Sequence, residues 1–166
     1  VILDADGLNI LAMHPQWMKF IGEQTILTPH MGEMSRLCGL NVSELKEDPV
    51  ARAYQYAEKS GGVLVLKDAC TVVTDRNEKL YLNLSGNSGM ATAGSGDVLS
   101  GIIASVLCMY LSCEEERELS YKAAMAVYIH GLCGDIAREK KRISRHDGEG
   151  YDRSPAGSFE TGRSSE

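Results

Sequence analysis

Gly86-Asn87-Ser88-Gly89-Met90-Ala91-Thr92-Ala93-Gly94-Ser95-Gly96-Asp97-Val98-Leu99-Ser100-Gly101 is a run of small residues that reaches an acid and turns at once into a helical pattern, with Val98, Leu99, Ile102, Ile103, Val106 and Leu107 on its apolar side. Glycines let a backbone turn its N–H groups inward and let a ligand approach with no Cβ in the way. A helix that starts there offers unpaired N–H donors and the positive end of its dipole, so the loop reads as an anion cradle. An acid at the mouth of a phosphate cradle is repelled unless it has a task. The natural task is to accept a proton from a hydroxyl attacking that phosphate. No Gly-Lys-Ser/Thr follows, which excludes a Walker loop, and no Gly-x-Gly-x-x-Gly sits directly after the first strand, which excludes a Rossmann fingerprint.

Upstream of this loop the chain alternates strand and helix. Val1-Ile2-Leu3-Asp4 reads as a short buried strand, and a helical stretch from Leu8 to Phe20 is broken by Pro15. Thr25-Ile26-Leu27-Thr28 is a second strand stopped by Pro29, followed by a helix carrying Met31, Met34 and Leu37 that ends near Gly39. Asp48-Pro49 is an N-cap with proline in the first turn, and Gly61-Gly62 closes the helix it opens. Val63-Leu64-Val65-Leu66-Lys67 is continuously apolar up to its lysine, as a strand covered on both faces should be. Thr71 to Thr74 and Lys79 to Leu82 flank Asp75-Arg76-Asn77-Glu78, a hairpin signal. Two long helices follow, over Gly96 to Leu111 and Glu118 to Lys140. The expectation is a layered α/β fold with a largely parallel central sheet. The start at Val1, inside an apolar run and without an initiator Met, reads as a fragment whose N-terminal part is missing. Residues 1–143 are expected to form the domain. Residues 144–166, rich in Gly, Ser and mixed charge, are expected to be a disordered tail.

The 166 residues suffice for one core. A net charge of −6 gives no electrostatic case for nucleic acid or an acidic membrane surface. No apolar run approaches membrane-spanning length. Five widely spaced cysteines, an odd number with no Cys-x-x-Cys pair, fit neither a disulfide framework nor a zinc site. Reduced thiols in a cytoplasmic protein are the simpler reading.

Four polar clusters each lie just past a strand, where open α/β sheets collect ligands. They are Asp4-Ala5-Asp6-Gly7-Leu8-Asn9, Thr28-Pro29-His30-Met31-Gly32-Glu33, Lys67-Asp68-Ala69-Cys70-Thr71 and the glycine loop. Taken singly, the first three have plainer explanations. Asp4 and Asp6 could cap a helix, His30 and Glu33 could mark a helix start, and 67–71 could be an ordinary turn. His14, His130 and His146 have no partner at suggestive spacing and read as structural or surface groups.

Together these segments closely resemble the ADP-dependent NAD(P)H-hydrate dehydratases of the ribokinase-like superfamily. The resemblance runs from Val1 to about Lys140 and includes His130-Gly131-Leu132-Cys133-Gly134-Asp135. The glycine loop alone suggests only a ribokinase-like kinase; Thr-Pro-His-x-Gly-Glu and Gly-Met-Ala-Thr make the match specific. The resemblance implies a ribokinase-like fold and removal of water from NADHX and NADPHX, the hydrated reduced nicotinamide cofactors. ADP (or ATP) would be the phosphoryl donor with Mg²⁺. By position, Asp97 would take the proton from the substrate hydroxyl, and the N–H groups of Gly94, Ser95, Gly96 and Asp97 would hold the transferring phosphoryl group. Gly96 matches an AMP-contacting position, and Lys67, Asp68, Ala69, Cys70 and Thr71 match the segment at the nucleotide phosphates. His30 matches a substrate contact, Glu33 would help place Mg²⁺ through water, and Asp6 and Asn9 stand near the reacting phosphate. Asp68 and Ala93 replace glycines usual in the family. Two other readings stay open: a vitamin-precursor kinase of the same superfamily, and a truncated, non-catalytic nucleotide-binding protein. A homo-oligomer also stays open.

Overall fold

The computed structural model describes residues 1–111 and 117–149. Its elements, in chain order, are β1 (Ile2–Leu3), α1 (Asp6–Met13), a 3₁₀ segment (Pro15–Phe20), β2 (Ile26–Leu27), α2 (Met31–Cys38), α3 (Val42–Glu47), α4 (Pro49–Ser60), β3 (Val63–Leu66), β4 (Thr71–Thr74), β5 (Leu80–Asn83), a 3₁₀ turn (Ser88–Met90), α5 (Ser95–Leu111) and α6 (Leu119–Glu149).

One sheet runs in the order β1-β2-β3-β4-β5. β1, β2 and β3 pair in parallel, while β4 is antiparallel to both β3 and β5. Four of the five strands therefore point the same way, and the segments following β1, β2, β3 and β5 all emerge at one edge. The alternation of the strands divides the core in two. Leu27, Leu64, Leu66 and Val72 pack with Leu8, Leu11, Met34, Leu45 and Tyr56 under α1 to α4. Ile26, Val63, Val65 and Val73 pack on the opposite face with Leu99, Ile103, Val106, Ala123 and Val127 from α5 and α6. The continuously apolar β3 is buried at every position because helices cover both faces.

Local signals act where expected. Pro15 ends α1 and starts the 3₁₀ segment. Asp48 Oδ1 accepts from Ala51 N at 3.0 Å, with Pro49 in the first turn of α4. α6 differs from expectation, continuing to Glu149, past the helix end expected at Lys140. No glycine or proline intervenes between Gly134 and Gly148, so nothing in the backbone stops the helix there. The remainder of the expected tail, 150–166, lies outside the described residues, as does Cys113. The four described cysteines form no disulfide. No helix among the described residues is long and apolar enough to cross a membrane.

Candidate active site

Asp4 leaves the end of β1 and Lys67 the end of β3, on either side of β2. Lys67 Nζ donates to Asp4 Oδ1 at 2.8 Å, with the two side chains 20% and 17% exposed. Ser100 Oγ, on α5, donates to Asp4 Oδ2 at 2.9 Å. Burial pushes the Asp4 carboxyl upward, but hydrogen bonds from Lys67, Thr28 and Ser100 and the Lys67 charge outweigh it. The net position is below the ordinary carboxylate range. A Cβ on Gly96 would stand 3.4 Å from Lys67 Nζ and 3.9 Å from Asp4 Oδ2. The start of α5 thus abuts a lysine ammonium, and an anion seated there meets both the helix N–H donors and that cation.

The capping alternative for Asp4 and Asp6 does not hold. Ala5 is the residue before α1, and no side chain caps that helix. Asp4 serves the ion pair instead, aimed by a tight turn in which Gly7 N donates to Asp4 O at 2.9 Å. Ala5, at φ 46° and ψ −117°, occupies a position in that turn that favours glycine. Relief of this strain, less the added chain entropy of glycine, should make Ala5→Gly more stable by about 1 kcal/mol. Urea denaturation checks this, and an unchanged or lower midpoint would show the turn to be relaxed already.

At the end of β2 the parallel ladder continues by one bridge, His30 to Lys67, with Lys67 N donating to Pro29 O at 2.8 Å. His30 is also the N-cap of α2. Its Nδ1 accepts from Gly32 N at 2.9 Å and Glu33 N at 3.3 Å, while Glu33 Oε2 accepts from His30 N at 2.8 Å. Acceptance at Nδ1 assigns the ring proton to Nε2, which lies 3.4 Å from Glu33 Oε1. The helix-start alternative therefore describes the local geometry of this pair: a reciprocal capping box. The imidazole is exposed and Glu33 is buried. Asn9 turns toward α2, where its Oδ1 accepts from Arg36 Nε at 2.8 Å. With Ala12 and Met13 these two residues line an open cleft of about 490 Å³.

In the glycine loop, Gly94 stands at φ 85°, a conformation unfavourable to a side chain. Ala93 is not at positive φ, so alanine there meets no backbone penalty. Asp97 is exposed in the first turn of α5. The 67–71 segment is the β3–β4 connection, with Asp68 and Ala69 exposed and Cys70 half-buried. The structure thus gathers Lys67, Gly96 and the neighbouring His30 at one edge, with Asp97 one residue beyond Gly96. Asp6, exposed in the first turn of α1, forms no hydrogen bond or ion pair with them. Sequence reasoning missed Ser100, although it lies four residues after Gly96 and so on the same helical face. It also left His130 as a bystander, whereas His130 Nε2 lies 3.4 Å from Ser95 Oγ. Burial pushes the His130 pKa down, against a backbone hydrogen bond at Ser95.

Among the described residues no three His, Cys, Asp or Glu side chains are grouped to hold a metal ion.

A parallel-led sheet between helical layers, with its glycine loop at the strands' carboxyl edge, defines a ribokinase-like domain. A ribokinase-like superfamily protein from Enterococcus faecalis V583 superposes with a TM-score of 0.68 at 30% identity, over 83% of this chain and 45% of that one. The NAD(P)H-hydrate dehydratase family model matches residues 1–148, and the chain belongs to that family. It is 37% identical over 146 residues to the ADP-dependent (S)-NAD(P)H-hydrate dehydratase of Neisseria meningitidis serogroup B, covering 87% of this chain and 47% of the relative. It is 45% identical over 141 residues to the bifunctional NAD(P)H-hydrate repair enzyme Nnr of Thermofilum pendens, covering 85% of this chain and 26% of the relative. The ADP/ATP-dependent NAD(P)H-hydrate dehydratase of Bacillus subtilis, co-crystallised with ATP and Mg²⁺, superposes with a TM-score of 0.66 at 32% identity, over 84% of this chain and 46% of that one. The chain thus spans about a quarter of the bifunctional relative and about half of the others.

Proposed function

We propose that this chain carries the phosphoryl-transfer site of an ADP-dependent dehydratase acting on NADHX and NADPHX. The observation that supports this most is the convergence of Lys67, Asp4 and Gly96 at the start of α5. A nucleoside diphosphate laid along the β3–β4 connection, over Lys67, Asp68, Ala69, Cys70 and Thr71, would bring its terminal phosphate to Gly94, Ser95 and Gly96. The N–H groups of Gly94, Gly96 and Asp97 would hold it there, that of Ser95 being already given to Thr92 O. The substrate hydroxyl oxygen would attack that phosphorus, the bond to the bridging oxygen of AMP would break, and Asp97 would receive the hydroxyl proton. Hydroxide is a poor leaving group and phosphate a good one. The ring nitrogen lone pair expels the phosphate, and loss of a proton from the adjacent ring carbon restores the dihydropyridine double bond. Atoms balance as ADP plus hydrate giving AMP, phosphate and the repaired cofactor.

Lys67 and the cradle N–H groups stabilise the migrating charge in a preorganised way; one such donor is worth on the order of a hundredfold in rate. Mg²⁺ bound with the nucleotide would neutralise phosphate charge, and Glu33, to orient its waters, would have to share the oxygens that already face His30 N and Nε2. His30, exposed beside Lys67, would contact the substrate.

The test is incubation of this chain with NADHX, ADP and Mg²⁺. The expected result is recovery of absorbance at the NADH band with AMP and phosphate formed in equal amounts. A stable phosphorylated small molecule without that recovery would support the kinase alternative. Tight ADP binding without turnover would support the non-catalytic one.

A further inference from the structure

The glycine loop between β5 and α5 docks on one helix, α6, at both of its ends. At the β5 end, Ser85 Oγ lies 3.2 Å from the Tyr128 carbonyl oxygen. Gly86 N donates to Asp135 Oδ2 at 2.8 Å, and Asn87 Nδ2 donates to Asp135 Oδ1 at 2.9 Å. Asn87 Oδ1 in turn accepts from Gly89 N at 3.1 Å. At the α5 end, Ser95 Oγ meets His130 Nε2 at 3.4 Å.

The surface of α6 between these contacts is cut away to receive the loop. A Cβ on Gly131 would collide with Ser85 Oγ and stand 2.7 Å from the Ser85 carbonyl, and one on Gly134 would collide with Met90 Sδ. His130 and Gly134 are four residues apart, as are Gly131 and Asp135, so the four form two adjacent rows on one side of the helix.

Such a loop has a physical problem. Its glycines carry large conformational entropy, yet a phosphate cradle accelerates transfer only if its N–H vectors are fixed before the substrate arrives. Bonds inside the loop, such as Met90 N to Asn87 O at 3.0 Å and Ser95 N to Thr92 O at 3.2 Å, shape local turns. They do not tie the loop to the rest of the fold. The carboxylate of Asp135 does so, by holding one backbone N–H and one side-chain amide of adjacent residues.

We propose that α6 is the clamp of the phosphate cradle, with Asp135 and His130 as positioning residues that hold the two ends of the loop from Gly86 to Ser95 without touching substrate. The inference rests on reading that loop as the phosphate site.

The decisive comparison is Asp135→Ala against the paired exchange Asn87→Asp with Asp135→Asn. In the exchanged pair, the amide at 135 can accept from Gly86 N and donate to the carboxylate at 87, so the contact set is rebuilt with the charge moved. Asp135→Ala is expected to lower kcat by about ten- to a hundredfold with KM for NADHX nearly unchanged, because misplacement by an ångström costs that much. The paired exchange is expected to recover most of it. Amide hydrogen exchange across residues 86–96 should quicken by roughly tenfold in Asp135→Ala and return in the exchanged pair, while the β3 amides stay protected. Unchanged exchange at 86–96, or acceleration that extends equally into β3, would overturn the clamp. If the unmodified chain does not turn over NADHX, the functional reading fails on its own, and the exchange pattern still decides the clamp.

Discussion

Asp97→Asn should reduce turnover by about 10²- to 10⁴-fold, the range a positioned general base supplies, and leave ADP–Mg²⁺ affinity within a few-fold of the original. The substitution keeps shape and removes the charge and, with it, the ability to take a proton. Asp97 is exposed at the start of α5, so no packing is lost. The helix forfeits a favourable N-terminal charge, worth about 0.3–1 kcal/mol. Under the proposed assignment, removing an anion beside the nucleotide phosphates slightly favours binding, which opposes any affinity loss. Absorbance recovery and calorimetric titration on the same preparation separate these effects. A rate equal to that of the unsubstituted chain would take Asp97 out of its assigned role.

Lys67→Ala should have the largest combined effect on stability and binding. It strands Asp4, whose side chain is only 17% exposed, without its cation. The cost falls between the surface and buried limits for ion pairs, on the order of 2 kcal/mol. Loss of a charge-assisted contact to a phosphate should also weaken ADP by about ten- to a hundredfold. The stability loss carries a pH signature. The folded-state pKa of Asp4 is depressed, so its contribution is fully present above the unfolded carboxylate value of about 3.9 and is lost as pH falls through the folded one. The gap between the two proteins in urea denaturation should stay constant from about pH 5 to 8 and close below about pH 4. A gap that persists undiminished near pH 3 would show that packing of the lysine stem, and not the ion pair, is responsible.

What the sequence reveals and what it hides divide along physical lines. Elements fixed by local chemistry were legible: Pro29 and Pro49 mark boundaries, the apolar run from Val63 marks the doubly covered strand, and the glycine loop marks the start of α5. The orientation of β5 was also within reach, because the β4–β5 hairpin places its exit at the same edge as that of β3. α3 was missed because a six-residue helix carries too little periodicity, although its Asn41–Glu44 capping box was present in the chain. The Asp4–Lys67 pair was not legible. It joins residues 63 positions apart, and nothing in either segment announces the other until strand order brings them together. Asp135 and His130 were hidden for the same reason, since their partners are loop atoms that acquire positions only on docking.

The parallel bridge between His30 and Lys67 has one further consequence. Under the proposed assignment, the groups facing the hydroxyl acceptor and the phosphoryl donor sit opposite each other across one rung of the backbone ladder. The sheet then serves as a ruler: the gap that phosphorus must cross is set at assembly by strand register. A slip between β2 and β3 would alter that gap by whole residues, so graded adjustment of it belongs to the loop.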